Sequence, residues 1–200
     1  MELKNKRVLV VGSGKSGIGS ARLLGSIGAL PVLFDSNKEA DVAEIQKKAG
    51  EIPGLEIMVG DIPEELKKEL SLVVISPGVP VDAPFLEEYR ERGIPLWGEI
   101  ELAYVFSKGR VAAITGTNGK TTTTALVGEI LRAHFSSVFV VGNIGNPYTE
   151  AALCMSGESV AAAEISSFQL ETIHEFHPSV SAILNITPDH LNRHHTMEAY

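Results

Sequence analysis

The centre of the chain carries a glycine-rich segment, Gly116-Thr117-Asn118-Gly119-Lys120-Thr121-Thr122. The apolar run 111–115 precedes it, and the helix-forming segment 123–133 follows it. A strand, a glycine-rich loop and a helix in this order are typical of a phosphate-binding loop, because backbone N–H groups and a helix N-terminus then face the anion. Lys120 would neutralise phosphate charge, and a threonine hydroxyl would reach Mg²⁺. The segment therefore predicts a nucleotide phosphate site.

This loop departs from the usual phosphate-loop spacing. The pattern Gly-x-x-x-x-Gly-Lys-Ser/Thr places a glycine where this chain has Ile114. The spacing alone leaves a second interpretation open, a glycine-rich turn with an exposed lysine. The flanking strand and helix favour the phosphate loop.

The composition of the 200 residues is that of an ordinary globular protein, with 44% hydrophobic and 21% charged residues. The net charge of −8 argues against a broad nucleic-acid surface, which needs clustered Lys and Arg. Cys154 is the single cysteine, so an internal disulfide is excluded, and we expect its side chain to be buried. No apolar run approaches the roughly 20 residues of a membrane helix, and the one after Arg7 is too short for a signal peptide. We therefore expect a cytoplasmic protein with neither a membrane nor a nucleic-acid partner.

In the first half of the chain, short apolar runs alternate with segments of helical periodicity. The runs lie at 8–11, 31–34, 55–59, 72–75 and 94–97. A helix is expected at 38–49, with Val42 and Ile45 facing inward. Continuous apolar runs are typical of buried parallel strands. The pattern predicts an α/β fold, a Rossmann-like doubly wound sheet of roughly five parallel strands.

A second series of strands and helices begins after Gly98. Strands are expected at 111–115, 138–141, 160–163 and 180–186. Polar residues follow each of them, at the sheet edge where open α/β sheets bind ligands. We predict two domains, 1–98 and 99–200. The second is part of a phosphate-loop-type α/β domain, so we expect the chain to be a piece of a longer enzyme.

Gly12, Gly14 and Gly17 match the dinucleotide-binding fingerprint, since they follow a strand, precede a helix and have Asp35 about 20 residues further on. Taken alone, this spacing predicts NAD, with Asp35 on a ribose hydroxyl. The glycines also suit a purely structural turn, and the spacing does not identify the nucleotide.

Glu164 ends an apolar strand, and with Thr121 it could hold Mg²⁺, a cation that prefers oxygen ligands. A solvated loop carboxylate is the alternative. Ser166 and Ser167 follow directly, and they either bind phosphate or cap a helix expected at 168–173.

Asp189, His190, His194 and His195 form the densest histidine and carboxylate cluster in the sequence. Their spacing matches no structural or protease zinc motif. We prefer a single ligand, His190 or Asp189, beside a metal held mainly by other residues, and we expect His194 and His195 to be solvated. The sequence has no Gly-x-Ser-x-Gly elbow, so covalent hydrolase chemistry is not expected.

Several of these segments together resemble the Mur ligase family. In the second half they are Gly116–Thr122, Gly142-Asn143-Ile144-Gly145, Glu164-Ile165-Ser166-Ser167-Phe168-Gln169-Leu170 and Asn185-Ile186-Thr187-Pro188-Asp189-His190. In the first half they are Gly12-Ser13-Gly14-Lys15-Ser16-Gly17, Asp35-Ser36 and Ser76-Pro77-Gly78. The resemblance covers the whole chain, and the segment after Glu164 is most similar to the family member that adds D-glutamate.

This resemblance implies an ATP-dependent, amide-forming step of peptidoglycan synthesis. ATP would phosphorylate the alanyl carboxylate of UDP-N-acetylmuramoyl-L-alanine, and the amine of D-glutamate would attack the acyl phosphate. The loop 116–122 would bind ATP, with Lys120 on the β- and γ-phosphates. Thr121, Glu164 and His190 would hold Mg²⁺. Lys120, Glu164 and His190 would be the catalytic residues.

The resemblance also reassigns the first half, which would bind the uridine diphosphate end of the substrate instead of NAD. Backbone amides near Gly14, Lys15 and Ser16 would face the diphosphate, and Asp35 with Ser36 would face the uracil. The remaining substrate contacts that the resemblance implies are Gly78, Asn143 and Ser166.

Two hypotheses follow. In the first, the chain is the N-terminal part of such a ligase, monomeric when intact, and inactive alone because a modified lysine and a C-terminal domain would follow Tyr200. In the second, it is a non-ligase module that binds NAD or another nucleotide. In either case, a truncated parallel sheet would expose an edge through which this chain could self-associate.

Overall fold

The apolar runs of the first half form one parallel sheet in the computed structural model, which describes residues 2–200. Its strands are Arg7–Val11 (β1), Leu30–Asp35 (β2), Glu56–Val59 (β3), Leu70–Ile75 (β4) and Leu96–Gly98 (β5). The helices between them are Lys15–Ser26 (α1), Val42–Ala49 (α2), Glu64–Glu69 (α3) and Pro84–Glu91 (α4). In the strand order β3-β2-β1-β4-β5, the sheet extends from β1 to one side through β2 and β3 and to the other side through β4 and β5, so a switch point lies between β1 and β4. Such a switch point opens a crevice at the carboxyl ends of the strands, where ligands bind.

Helix α2 begins later than the sequence pattern predicts. The Asp41 carboxylate accepts the backbone N–H of Ala43 at 2.8 Å and thereby caps the helix, so Lys38 lies outside it. Ile45 is buried as expected, but Val42 is 42% exposed, and its inward placement was wrong. Val42 occupies the first turn, on the solvent side of the cap.

The runs of the second half form a second parallel sheet. Its strands are Arg110–Thr115 (β6), Val138–Gly142 (β7), Val160–Glu164 (β8) and Val180–Ile183 (β9), in the order β7-β8-β6-β9. The helices are Glu99–Phe106 (α5), Lys120–Arg132 (α6), Tyr148–Ala152 (α7), Ser167–Leu170 (α8) and Leu191–His194 (α9). The short helices α7 and α9 were not predicted, and α8 is shorter than expected. The predicted α/β class with two parallel sheets is confirmed.

One continuous apolar core joins the two sheets. It includes Leu24 of α1, Ile100 of α5 and Tyr148 of α7, each fully buried. The Tyr148 hydroxyl lies 2.8 Å from Ser107 Oγ, so this polar group is satisfied inside the core. The packing of α5 and α7 against α1 holds the two sheets together.

Apolar side chains are exposed at one side of the second sheet. Strand β9 is an edge strand, and its Val180 and Ile183 are 65% and 66% exposed. Leu126 and Ile130 of α6 are exposed as well. Self-association through this edge stays a prediction.

Cys154 is exposed, so the expectation of a buried thiol was wrong. It follows the end of α7 in a turn, next to the exposed Leu153. Among residues 2–200, no helix is both long enough and apolar enough to cross a membrane.

Candidate functional site

The carboxyl ends of β6, β7 and β8 face the loop after β4, and a cavity of about 380 Å³ lies between them. Each unit therefore contributes to its wall. Predicted site residues that line it are Gly78, Gly116, Lys120, Asn143, Ser166 and His190. The fold thus gathers at one place residues that lie far apart in the sequence.

The phosphate loop connects β6 to α6 as predicted. Gly116 has φ 139° and Gly119 has φ 84°, backbone conformations that side chains rarely adopt. Lys120 is the first residue of α6, and its ammonium donates to the carbonyls of Gly116 at 2.6 Å and Thr117 at 3.0 Å. The cation is therefore held directly over the loop, where a phosphate would compete with these carbonyls.

Asn185 fixes the shape of this loop, a role that the sequence analysis did not assign to it. Its side-chain oxygen accepts the Asn118 N–H at 2.9 Å, and its side-chain nitrogen donates to the Asn118 carbonyl at 2.9 Å. Its own carbonyl accepts the Thr117 N–H at 3.0 Å. A Cβ on Gly116 would lie 3.1 Å from the Asn185 backbone. Asn185 belongs to one of the family-like segments, but only the pairing of β9 with β6 brings it to the loop.

The other residues of the loop differ in their surroundings. Thr117 Oγ1 accepts the Thr187 N–H at 3.0 Å and lies 2.8 Å from the Tyr200 hydroxyl. Thr121 and Thr122 are exposed in the first turn of α6 and do not line the cavity. Their hydroxyls remain accessible at the helix N-terminus.

Glu164 lies at the end of β8 and is only 2% exposed, so the alternative of a solvated loop carboxylate was wrong. Its Oε1 accepts Asn143 Nδ2 at 3.0 Å, while its buried Oε2 has no hydrogen-bond partner within residues 2–200. A buried carboxylate oxygen left without a partner costs free energy. A hard cation would satisfy it, since oxygen ligands suit Mg²⁺.

The described part of the chain contains no group of three or more His, Cys, Asp or Glu arranged to hold a metal by themselves. A cation at Glu164 would need hydroxyl, phosphate or water oxygens as further ligands. Mg²⁺ is usually bound in this way, by one or two carboxylates together with substrate phosphates and waters. The residues present therefore fit Mg²⁺ bound together with a phosphate ligand.

Ser166 caps α8. Its Oγ accepts the Gln169 N–H at 3.3 Å, and Gln169 Oε1 accepts the Ser166 N–H at 2.8 Å, a capping box. Gln169 also donates to the buried Glu99 carboxylate at 2.8 Å. Burial raises the pKa of the Glu99 carboxyl, and the hydrogen bond from Gln169 opposes this rise. Glu99 thus anchors the Ser166 cap to the first turn of α5.

The histidine cluster divides into two parts. His190 lines the cavity in a left-handed conformation, φ 51°, with its ring 4.9 Å from that of Phe168. His195 is exposed as expected. His194 is buried, and its Nε2 lies 2.9 Å from Ser167 Oγ, so its expected solvation was wrong. The helical turn α9 directs His194 towards α8, an orientation that spacing alone does not reveal.

The N-terminal glycine loop has the close packing that its pattern predicts. A Cβ on Gly17 would lie 1.8 Å from the Gly12 carbonyl oxygen, so only glycine fits there. Gly14 and Lys15 line a separate depression beside α1. Lys15 Nζ donates to the Gly145 carbonyl at 2.7 Å, which ties this loop to the second unit.

Asp35 ends β2 beside the same loop. It accepts hydrogen bonds from Ser13 Oγ and, at 3.0 Å, from the Asn37 N–H. The Ser13 hydrogen bond is the main reason that the pKa of Asp35 is lowered. Ser36 is exposed next to it. These residues do not line the main cavity.

Both units match known domain models. Residues 6–98 match the Mur ligase MurD-like N-terminal domain, and residues 114–200 match the Mur ligase middle domain. The chain belongs to the Mur ligase family. The resemblance inferred from the sequence is thus confirmed.

Similar Mur ligases extend well beyond the length of this chain. It is 60% identical over 200 residues to the UDP-N-acetylmuramoylalanine–D-glutamate ligase of Lachnospira eligens and 58% identical to that of Lachnoclostridium phytofermentans. In both cases the match covers 100% of this chain and 44% of the relative.

A solved Mur ligase has the same fold. The UDP-N-acetylmuramate-alanine ligase of Thermotoga maritima superposes with a TM-score of 0.52 at 25% identity, over 98% of this chain and 45% of that one. The roles of individual site residues stay predictions.

Proposed function

We propose that this chain carries the nucleotide-binding part of an ATP-dependent ligase that adds D-glutamate to UDP-N-acetylmuramoyl-L-alanine in peptidoglycan synthesis. The observation that carries the proposal is the buried Glu164, which has an unpartnered oxygen and pairs with Ile114, two residues before the phosphate loop. The names of the similar relatives support the choice of D-glutamate.

In this proposal ATP binds at the loop 116–122. Backbone N–H groups face its phosphates, and Lys120 exchanges the Gly116 and Thr117 carbonyls for phosphate oxygens. Phosphoryl transfer needs mainly positioning and positive charge. The loop geometry that Asn185 holds supplies the positioning.

Glu164, Thr121 and His190 would hold Mg²⁺. Bound there, the ion would neutralise charge on the transferring phosphoryl group. Glu164 is already oriented by Asn143, and His190 is packed against Phe168, so neither side chain would need to be ordered on binding. Lys120, Glu164 and His190 are the residues proposed for catalysis.

The first unit, proposed as the domain 1–98, would bind the uridine diphosphate part of the substrate. The depression beside Gly14, Lys15 and Ser16 would receive the diphosphate, and Asp35 with Ser36 would receive the uracil. The muramoyl end would then extend past Gly78 towards Asn143 and Ser166, which line the main cavity. The domain 99–200 would supply the ATP site.

The decisive experiment uses the full-length protein and measures ADP release. We expect ADP only when both UDP-N-acetylmuramoyl-L-alanine and D-glutamate are supplied. Equal ADP release with L-alanine or meso-diaminopimelate would contradict the proposed substrate. A Lys120→Ala change should abolish ADP release while UDP-substrate binding stays nearly unchanged.

The alternative, a module that binds NAD at Gly12–Gly17, is separated by titration. The proposal expects tighter binding of the UDP-sugar than of NAD, an expectation that the match of residues 6–98 to the MurD-like N-terminal domain supports. Preferential NAD binding would overturn the assignment of the first unit. A cytoplasmic location and a monomeric intact enzyme stay predictions.

A further inference from the structure

Ser167, His194 and Glu171 form a connected trio beside the main cavity. Ser167 lines the cavity, and its Oγ lies 2.9 Å from His194 Nε2. On the other side of the ring, His194 Nδ1 lies 3.4 Å from Glu171 Oε1. The hydroxyl, imidazole and carboxylate therefore follow one another in the order found in serine nucleophile sites.

The surroundings hold this trio in place. His194 is 9% exposed, and its ring packs against Phe168 at 5.4 Å and Tyr200 at 5.2 Å. Arg193 donates to Glu171 Oε2 at 2.6 Å, so the second oxygen of the carboxylate is anchored. Arg193 is itself fixed, because it also donates to the carbonyls of the loop after β4.

Glu171 lies on the Nδ1 side of the His194 ring, at an ion-pair distance of 3.4 Å. A carboxylate beside Nδ1 favours the tautomer with the proton on Nδ1. In that tautomer Nε2 is the acceptor for the Ser167 hydroxyl, which lies 2.9 Å away. The adjacent Ser166 differs, since its hydroxyl is engaged in the α8 capping box.

We propose that Ser167 is a nucleophile activated by His194, with the electrophilic phosphoryl group as its class of reaction partner. Ser167 Oγ attacks phosphorus, the Oγ–P bond forms, and the bond from phosphorus to the leaving group breaks. The hydroxyl proton passes to His194 Nε2, and Glu171 stabilises the resulting imidazolium. The proposal covers this single covalent event and is independent of the ligase function.

The test is covalent labelling of the folded chain with diisopropyl fluorophosphate, in which fluoride is the leaving group. We expect one adduct, which peptide mapping by mass spectrometry assigns to Ser167. A His194→Asn change should slow labelling about 100-fold, since a positioned general base contributes roughly 10²–10⁴-fold. A Glu171→Gln change should slow it by a smaller factor.

The matched control is His195→Asn, which alters the exposed neighbour and should leave the labelling rate unchanged. Because changing a buried histidine can unfold a protein, a second comparison uses the unaltered chain. In it, Ser167 should react faster than the exposed Ser36 and Ser179. An adduct on Ser166, equal rates at the exposed serines, or unchanged labelling of a folded His194→Asn protein would overturn the proposal.

Discussion

Asn143 donates its side-chain N–H to one oxygen of the buried Glu164 carboxylate at 3.0 Å, and the other oxygen has no partner in the described chain. Asn143 follows β7 and Glu164 ends the neighbouring strand β8, with Gly142 paired to Glu164 in the register of the two strands. The Asn143 N–H also donates to the Glu164 carbonyl at 2.9 Å. The carboxylate is therefore fixed on one side and buried without a partner on the other.

A Glu164→Gln change should remove stabilisation by Mg²⁺ and ATP while leaving the fold intact. The amide removes the charge that would attract a cation, and its oxygen can still accept the hydrogen bond from Asn143. A ligand at about 100 times its Kd stabilises by about 2.7 kcal/mol. Thermal unfolding with Mg²⁺–ATP and with EDTA measures the difference. The exposed Glu158→Gln serves as control, and an unaltered Mg²⁺ effect in Glu164→Gln would contradict the assignment.

An Asn185→Ala change should weaken ATP binding by about 5- to 150-fold. It removes the two side-chain hydrogen bonds to Asn118, each with a net contribution of about 0.5–1.5 kcal/mol, so the loop loses its fixed shape. Isothermal titration with ATP measures the loss. The exposed Asn192→Ala should bind ATP as the unaltered protein does. Equal affinities for the two variants would show that the loop keeps its shape without Asn185.

A Glu101→Gln change should destabilise the fold by about 2–4 kcal/mol. The Glu101 side chain is fully buried, and its carboxylate accepts three backbone N–H groups, of His174 at 2.8 Å, Glu175 at 2.6 Å and Phe176 at 3.1 Å. A glutamine would turn an N–H₂ group towards these donors. Urea unfolding at neutral pH measures the change, with the exposed Glu65→Gln as control. A loss of unfolding free energy no larger than that of Glu65→Gln would contradict the role of Glu101.

A Tyr148→Phe change should reduce the loss of unfolding free energy that occurs as the pH rises above 10. Burial raises the pKa of Tyr148 from 10.0 to about 12. Between these values the unfolded chain loses the phenolic proton while the folded chain retains it, so stability falls as the pH rises. The fall reaches about 2–3 kcal/mol at roughly 1.4 kcal/mol per pH unit.

Phenylalanine cannot ionise and therefore lacks this contribution. Below pH 10 the variant should lose only the hydrogen bond with Ser107, about 1 kcal/mol. Unfolding free energies measured in urea from pH 8 to pH 11.5 test both statements. Parallel curves for the two proteins above pH 10 would contradict the raised pKa.

Residues 116–122, the glycines at 12, 14 and 17, and the apolar runs between them allowed the family and both parallel sheets to be predicted from the sequence. Strand, glycine loop and helix are local features that a short motif records. The ends of strands share one sheet edge in any parallel sheet, so the general location of the ligand site followed as well.

Side-chain environments across that edge could not be predicted in the same way. The burial of Glu164 depends on its neighbours β6 and β7, and the contacts of Asn185 depend on β9 pairing with β6. The burial of His194 against Ser167 depends on the direction of a single helical turn. Hydrophobic periodicity records which residues face the core, but it holds no information on which polar groups meet across the chain.

The sequence by itself therefore determined the family, the α/β class and the phosphate loop, because these depend on local pattern and on short motifs. Only the tertiary structure decided that Glu164 has a buried, unpartnered oxygen, that Asn185 holds the loop, and that Ser167 meets a buried histidine. The physical reason is that strand order and helix packing decide which distant segments bury and hydrogen-bond one another. These arrangements form only when the whole chain has folded.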